Sequence, residues 1–209
     1  DYAESTTSSD AWLNVKAGTD AALAMAMGHV ILKEYYIDKE TPYFKEYAKE
    51  FTDMPFLVRV EDINGAVQPG RFLNAKDLGS KEEGADFQTV LIDEVTNEIV
   101  IPNGTMGDRH TNPQKWNLRL ENRDTGAKID PRLSVFDQRE DVTVVKLPYF
   151  GDEEHEGVIE RAIPTITVQT VDGPVKVTTV YDLILANYGI DRGIGGEVAT
   201  SYTDDTPYT

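Results

Sequence analysis

The sequence predicts an α/β chain, with helices gathered near the start, β-patterned segments through the middle and one closing helix. Three observations carry that reading. Residues from Asp20 to Ile37 place Leu23, Met27, Val30, Ile31 and Leu32 near helical spacing. Residues 56–179 contain short runs of β-branched and aromatic residues broken by turns. Val180 to Tyr188 then returns to helical spacing, with Gly189 placed to end the helix. The order is strand end, loop, helix, helix, β-rich stretch, helix. It fits a partial Rossmann-like cofactor-binding α/β unit over residues 1–55, a β-rich insertion over 56–179, and a return helix and loop over 180–209.

Taken in order, Ala11-Trp-Leu-Asn-Val15 has strand character, and Lys16-Ala-Gly-Thr-Asp20 is a tight loop leading into the first helix. Thr19 or Asp20 can accept hydrogen bonds from the free N–H groups of the first turn. Thr41-Pro42 starts a second helix, because proline at the first helical position loses no hydrogen bond. That helix is expected to put Phe44, Tyr47, Ala48 and Phe51 on one side before Pro55. Phe56 to Val60 reads as a strand. Phe87–Ile92 and Glu98–Ile101 read as a hairpin closed by Pro102-Asn-Gly104. Trp116–Leu120, Leu133–Val135 and Val142–Leu147 are further strand candidates. Ile166–Thr170 and Val175–Thr179 flank Asp172-Gly-Pro174, a second hairpin signal.

Composition narrows the function. Asp and Glu number 37 against 20 Lys and Arg, a net charge of -17. Such a surface repels phosphate backbones, which argues against nucleic acid as a partner. The acidity is spread along the chain, as in proteins adapted to high salt, where screening weakens self-repulsion; ordinary acidity offset elsewhere in a larger protein also fits. There is no cysteine, so the chain itself supplies no disulfide, thiolate metal site or Fe–S ligand. No apolar run approaches the roughly 20 residues of a membrane span. Asp1-Tyr-Ala-Glu-Ser5 carries no initiator Met or signal peptide, and the ending is abrupt. Both ends read as internal to a larger multidomain subunit.

Few residues point to chemistry. In Ala17-Gly-Thr-Asp20, the glycine lets backbone approach a ligand closely, and a carboxylate at the helix start can accept the paired N–H groups of a guanine edge. A plain helix cap uses the same residues and is far commoner. If Asp1, Tyr2 and Ala3 follow a parallel strand, the acidic group there can reach ribose hydroxyls; a frayed end is the other reading. His29, His110 and His155 have no metal-ligand spacing, and His29 reads as a packed helical residue. Gly193-Ile-Gly-Gly196 lacks the Lys-Ser/Thr of a phosphate loop and reads as a turn. Trp12 and Trp116 read as packing residues. No carboxylate pair stands out as acid and base. The chain therefore offers no catalytic and no metal-ligating residue.

Several stretches together resemble one family. Gly18-Thr-Asp through Glu34 resembles the cofactor loop and helix of molybdopterin oxidoreductases related to dimethyl sulfoxide reductase. Tyr43-Phe44, Phe51-Thr-Asp-Met-Pro-Phe-Leu-Val58, Pro102-Asn-Gly-Thr-Met-Gly107, Lys115-Trp-Asn-Leu118, Pro148-Tyr-Phe-Gly151, Thr179-Val-Tyr-Asp-Leu183, Ala186-Asn-Tyr-Gly189 and Asp191-Arg-Gly193 resemble, in order, the catalytic alpha subunit of respiratory nitrate reductases. The resemblance implies nitrate reduction to nitrite at molybdenum held by two molybdopterin guanine dinucleotides. It also implies a [4Fe–4S] cluster whose ligands, like the molybdenum ligand, lie outside this chain. The implied partners are an Fe–S beta subunit and a membrane cytochrome b subunit, which would hold the protein at the membrane. The implied setting is anaerobic respiration, on the outer face of the membrane if the source is haloarchaeal and on the cytoplasmic face if bacterial. By motif, Gly18, Thr19 and Asp20 contact one guanine nucleotide, and Asp1, Tyr2 and Ala3 lie against the same nucleotide. The stretch Asp108-Arg-His-Thr-Asn-Pro113 departs from the family's more aromatic, basic loop. Nitrite oxidation, reduction of chlorate, perchlorate or selenate, and a non-catalytic nucleotide-binding or interaction module remain the alternatives.

Overall fold

The computed structural model describes residues 7–11, 15–104, 119–149 and 157–196. Helix α1 (Asp20–Ile31) runs without a break into a π-helical segment, Leu32–Asp38. The helix therefore reaches one residue past the expected Ile37, and its last turn is wider than an α-turn, with Lys39 N donating to Glu34 O at 3.0 Å. The widening accompanies a change of surroundings. α1 buries only His29, whereas the π segment buries Leu32 and Tyr36 in a core with Ala48, Leu133, Tyr181, Leu185 and Ile190.

Helix α2 (Pro42–Phe51) starts as expected, with Pro42 in its first turn. Thr41 serves it through its carbonyl, which accepts from Phe44 N and Lys45 N, and its side chain makes no capping bond. The expected apolar side is only partly formed. Ala48 is buried and Phe44 packs edge-on to Tyr36, but Tyr47 and Phe51 stay 49% and 56% exposed. Tyr43, Tyr47 and Phe51 instead form an exposed ladder of rings with centroids 6.4 and 5.2 Å apart. The spacing of four residues aligns these rings along one stripe of the helix, beside the direction that Ala48 and Phe44 take into the core.

The β body is one curled sheet with strands in the order β2-β1-β9-β8-β7. β1 (Leu57–Ile63) and β2 (Ala66–Phe72) form a hairpin on Asn64-Gly65, both at positive φ. That geometry matches the right-handed twist of the strands. β7 (Asp141–Pro148), β8 (Val158–Thr170) and β9 (Gly173–Thr179) continue the sheet by antiparallel pairing. The β8–β9 turn falls on Val171-Asp172, one residue before the expected centre. β2 and β7, the two edges, touch across the curl. Leu57, Leu73, Val90, Ile92, Val135, Val168 and Val177 fill one core against the sheet. Two small ladders flank it, β3 (Leu91–Ile92) with β4 (Ile99–Val100) and β5 (Pro102–Asn103) with β6 (Arg119–Asn122). The first is the expected hairpin, shortened because Ala85–Phe87 is a 3-10 turn. Leu133–Val135 is not a strand but a buried loop whose Val135 N donates to Asp182.

α3 (Val180–Asn187) follows β9 directly. Thr179 caps it by accepting from Asp182 N at 3.1 Å, and Gly189, at φ 71, ends it. The mixed helix-and-strand class is thus as expected, but every ladder among the described residues is antiparallel. A Rossmann-like unit needs parallel strands joined by a helical crossover, and none is formed there, because hairpins make most of the sheet's connections. Trp12, Leu13 and Asn14 of the expected first strand lie outside the described residues, as do Asp1, Tyr2, Ala3, His110, Trp116 and His155.

Candidate cofactor-binding site

The loop before α1 is built by one left-handed residue. Gly18 sits at φ 86, and Thr19 N then returns to Lys16 O at 3.1 Å. A side chain at Gly18 would meet no atom within 4 Å, so the glycine is required by backbone conformation and its outer face is open. The Thr19 hydroxyl also donates to Lys16 O, at 2.6 Å, and makes no capping bond to α1. Asp20 is the first residue of α1 and is exposed. Exposed Asp20 and half-buried Thr19 thus place acceptor oxygens beside the unpaired N–H groups of a helix start. A carboxylate acceptor, a hydroxyl oxygen and an open glycine face fit a guanine edge and a nearby anionic group. Of the six residues expected to contact nucleotide, the fold brings Gly18, Thr19 and Asp20 together, and Asp1, Tyr2 and Ala3 lie outside the described residues.

The far half of α1 fixes that loop to the rest of the chain. His29, 4% exposed, hydrogen-bonds through Nδ1 to the carbonyl of Tyr188 at 2.6 Å. Since the partner is a carbonyl oxygen, Nδ1 carries the proton. One residue earlier, a Cβ on Gly28 would overlap the Tyr188 ring. The reading of His29 as a packed, hydrogen-bonded residue holds. The sequence gives no pairing of residue 29 with 188, since the two are far apart along the chain.

A concavity of about 500 Å³ opens between the π segment, α2 and the loop 132–138, apart from the Gly18 loop. Tyr36, Lys49, Arg132, Phe136, Tyr181 and Arg192 are among its walls. Its cations are already committed. Lys49 pairs with Asp130 at 2.5 Å, Arg132 with Glu94 at 2.6 Å and Arg192 with Asp182 at 2.6 Å. Asp182 is fully buried and also accepts from Ser134 Oγ, Val135 N and Thr179 Oγ1. Burial pushes the Tyr181 phenol well up from its ordinary value, and the Asp182 charge adds to the effect. This corner is a structural knot that joins α3 to the buried loop. Its one sequence signal is the Thr179-x-x-Asp182 spacing of a helix start. Gly193-Ile-Gly-Gly196 is likewise structural, for Gly196 bridges to Arg161 and leaves no room for a side chain against Ala162. Among the described residues, no group of three or more His, Asp or Glu side chains is placed to hold a metal ion.

No family model matches the chain. Individual proteins do. Over all 209 residues it is 47% identical to the nitrate reductase alpha chain of Bacillus subtilis, covering 17% of that protein. Against the respiratory nitrate reductase 1 alpha chain of Escherichia coli, identity is 41% over the whole of this chain and 18% of the relative. The chain is a homologue of nitrate reductase alpha chains. This nitrate reductase alpha homologue spans about a sixth of the length of the relatives it matches (17% and 18%). A haloarchaeal protein, the respiratory nitrate reductase subunit alpha of Haloferax mediterranei, aligns over a shorter stretch, 37% identical across 86 residues or 41% of this chain. Among the described residues of the homologue, no helix is long and apolar enough to cross a membrane.

Proposed function

We propose that the chain is a segment of the catalytic subunit of a respiratory nitrate reductase, and that its part in the reaction is to hold a guanine nucleotide of the molybdenum cofactor. The observation that carries this reading is the 47% and 41% identity to nitrate reductase alpha chains along the entire chain. The cofactor is proposed to be molybdenum bis(molybdopterin guanine dinucleotide), with a [4Fe–4S] cluster whose ligands lie elsewhere in the subunit. When bound, the molybdenum centre supplies oxygen-atom transfer from nitrate.

The chain's own work is recognition. The Asp20 carboxylate accepts from the guanine N–H edge, the Gly18 turn lets the ligand approach backbone, and the α1 N-terminus favours the nucleotide's negative charge. Asp1, Tyr2 and Ala3 are proposed to complete the same nucleotide site. In this reading residues 1–55 belong to the cofactor-binding α/β domain, whose Rossmann-like parallel strands would come from other parts of the subunit. Residues 56–179 are the β-rich insertion, and 180–209 lead back toward that domain. The subunit would work with an Fe–S beta subunit and a membrane cytochrome b subunit, which place it at the membrane for anaerobic respiration. The net charge of -17 supports a salt-adapted, haloarchaeal source, and with it the outer face. A bacterial source would go with the cytoplasmic face.

The test is made on the parent enzyme purified from its native host. Nitrite formation with a reduced viologen donor, rising in proportion to molybdenum content across preparations, is the expected result. Molybdenum without nitrate turnover would move the substrate to nitrite or another oxyanion, and a folded enzyme without molybdenum would overturn the reading.

A further inference from the structure

α1 carries the Gly18-Thr-Asp20 loop at one end and its buried residue, His29, near the other. Asp20, Ala21, Ala24 and Met27 are exposed, and His29 is the helix's single buried residue. Among the described residues, a contact that seats it is with the end of α3. Gly28 allows the helix backbone to lie against the Tyr188 ring, and His29 Nδ1–H donates to the Tyr188 carbonyl at 2.6 Å. That carbonyl belongs to the helix-ending turn, where Gly189 N returns to Ala186 O and Ile190 N to Leu185 O. Its position is therefore set by α3, which the buried Asp182 fixes in turn to Val135 and Ser134.

The lever is long. His29 stands about 14 Å along the helix from Asp20. A tilt of roughly 10° at the seat moves the loop by about 2 Å, enough to break a hydrogen bond.

We propose that Gly28, His29 and Tyr188 form a seat that sets the position of the Gly18-Thr-Asp20 loop, which makes Gly28 and His29 positioning residues for the guanine nucleotide. The proposal rests on the reading of that loop as a nucleotide site. It adds that the site's geometry is decided at the opposite end of the helix, by α3.

The experiment uses the parent enzyme carrying His29→Leu, His29→Asn, Gly28→Ala or Asp20→Ala. Three quantities are measured: guanine nucleotide and molybdenum retained after gel filtration, hydrogen exchange of the α1 amides, and the thermal midpoint of unfolding. Asparagine can place an N–H near the position of Nδ1, whereas leucine fills the space without a donor. The expected result is retention weakened roughly tenfold to a hundredfold in His29→Leu and Gly28→Ala. α1 exchange should be faster in both, and His29→Asn should be close to wild type. If His29→Leu and His29→Asn lose nucleotide equally, in step with a fall in thermal midpoint, the effect is ordinary destabilisation and the seat is rejected. If Asp20→Ala loses nucleotide while His29→Leu and Gly28→Ala keep it, the seat is wrong and the loop reading stands. If Asp20→Ala retains nucleotide fully, the loop reading fails and the seat falls with it.

Discussion

The Arg192 guanidinium donates to the Asp182 carboxylate at 2.6 Å, with both side chains buried. The pair closes a group of donors, Ser134 Oγ, Val135 N and Thr179 Oγ1, around one fully buried carboxylate. Removing one partner of such a pair leaves the other desolvated without compensation. Asp182→Ala is expected to cost about 3–5 kcal/mol, and Arg192→Leu a similar amount. Thermal unfolding of both single variants and the double variant checks this. The double variant should be less destabilised than the sum of the singles, because its second change removes a charge already stranded; strict additivity would mean the pair is not coupled.

Asp77 gives a pH dependence with a definite sign. Burial alone would raise its carboxyl, but hydrogen bonds from Arg71 and Asn74 N, with the Arg71 and Arg59 charges, hold it below the ordinary 3.8. A carboxyl lowered in the folded state stabilises fully above its unfolded value, and that contribution is lost as pH falls through the folded value. Asp77→Asn should therefore lower the thermal midpoint at pH 7. The gap between variant and wild type should close only below about pH 4. An equal gap at pH 7 and at pH 2 would contradict this.

The Asn64-Gly65 turn pairs two left-handed residues at φ 58 and 82. Gly65→Ala adds a Cβ that meets no atom, so its cost is purely conformational, about 1–2 kcal/mol. A melting curve of this variant beside Asn64→Gly separates the two positions. Asn64→Gly should be nearly neutral, because glycine accepts the same φ.

The Tyr43, Tyr47 and Phe51 ladder predicts association rather than instability. These rings are 68%, 49% and 56% exposed. Replacing Tyr47 and Phe51 by Ser should change stability by less than about 1 kcal/mol. The same variant should lower self-association of the isolated chain in sedimentation. A large loss of stability without change in association would place the ladder in the core instead.

What the sequence made legible follows the range over which each signal acts. The Thr41-Pro42 helix start, the Gly189 stop and the β8–β9 hairpin are written in neighbouring residues and were readable. Asn64-Gly65 is the same kind of signal, a two-residue hairpin turn, but the strand after it is obscured by Pro69 and Gly70, which break a strand pattern. The sheet's antiparallel order was not legible, since β1 pairs with β9 more than a hundred residues away and periodicity carries no partner information. The turn at Gly18, Thr19 and Asp20 is likewise a local signal, written in the loop itself. The contact of His29 with the Tyr188 carbonyl is not, because its partner lies 159 residues away. Helix α2 shows a subtler limit. Its aromatic spacing implied one buried side, yet the residue that fixes the buried direction is the small Ala48.

The seat also places the site in time. The seat proposed for α1 lies 159 residues downstream of His29. At about 5–20 residues per second, a ribosome needs roughly ten to thirty seconds to deliver Tyr188 after His29. On the proposed seat, the loop acquires its fixed position only after that interval. On the proposed reading of that loop, loading of a nucleotide follows completion of the curled sheet rather than accompanying the emergence of the helix.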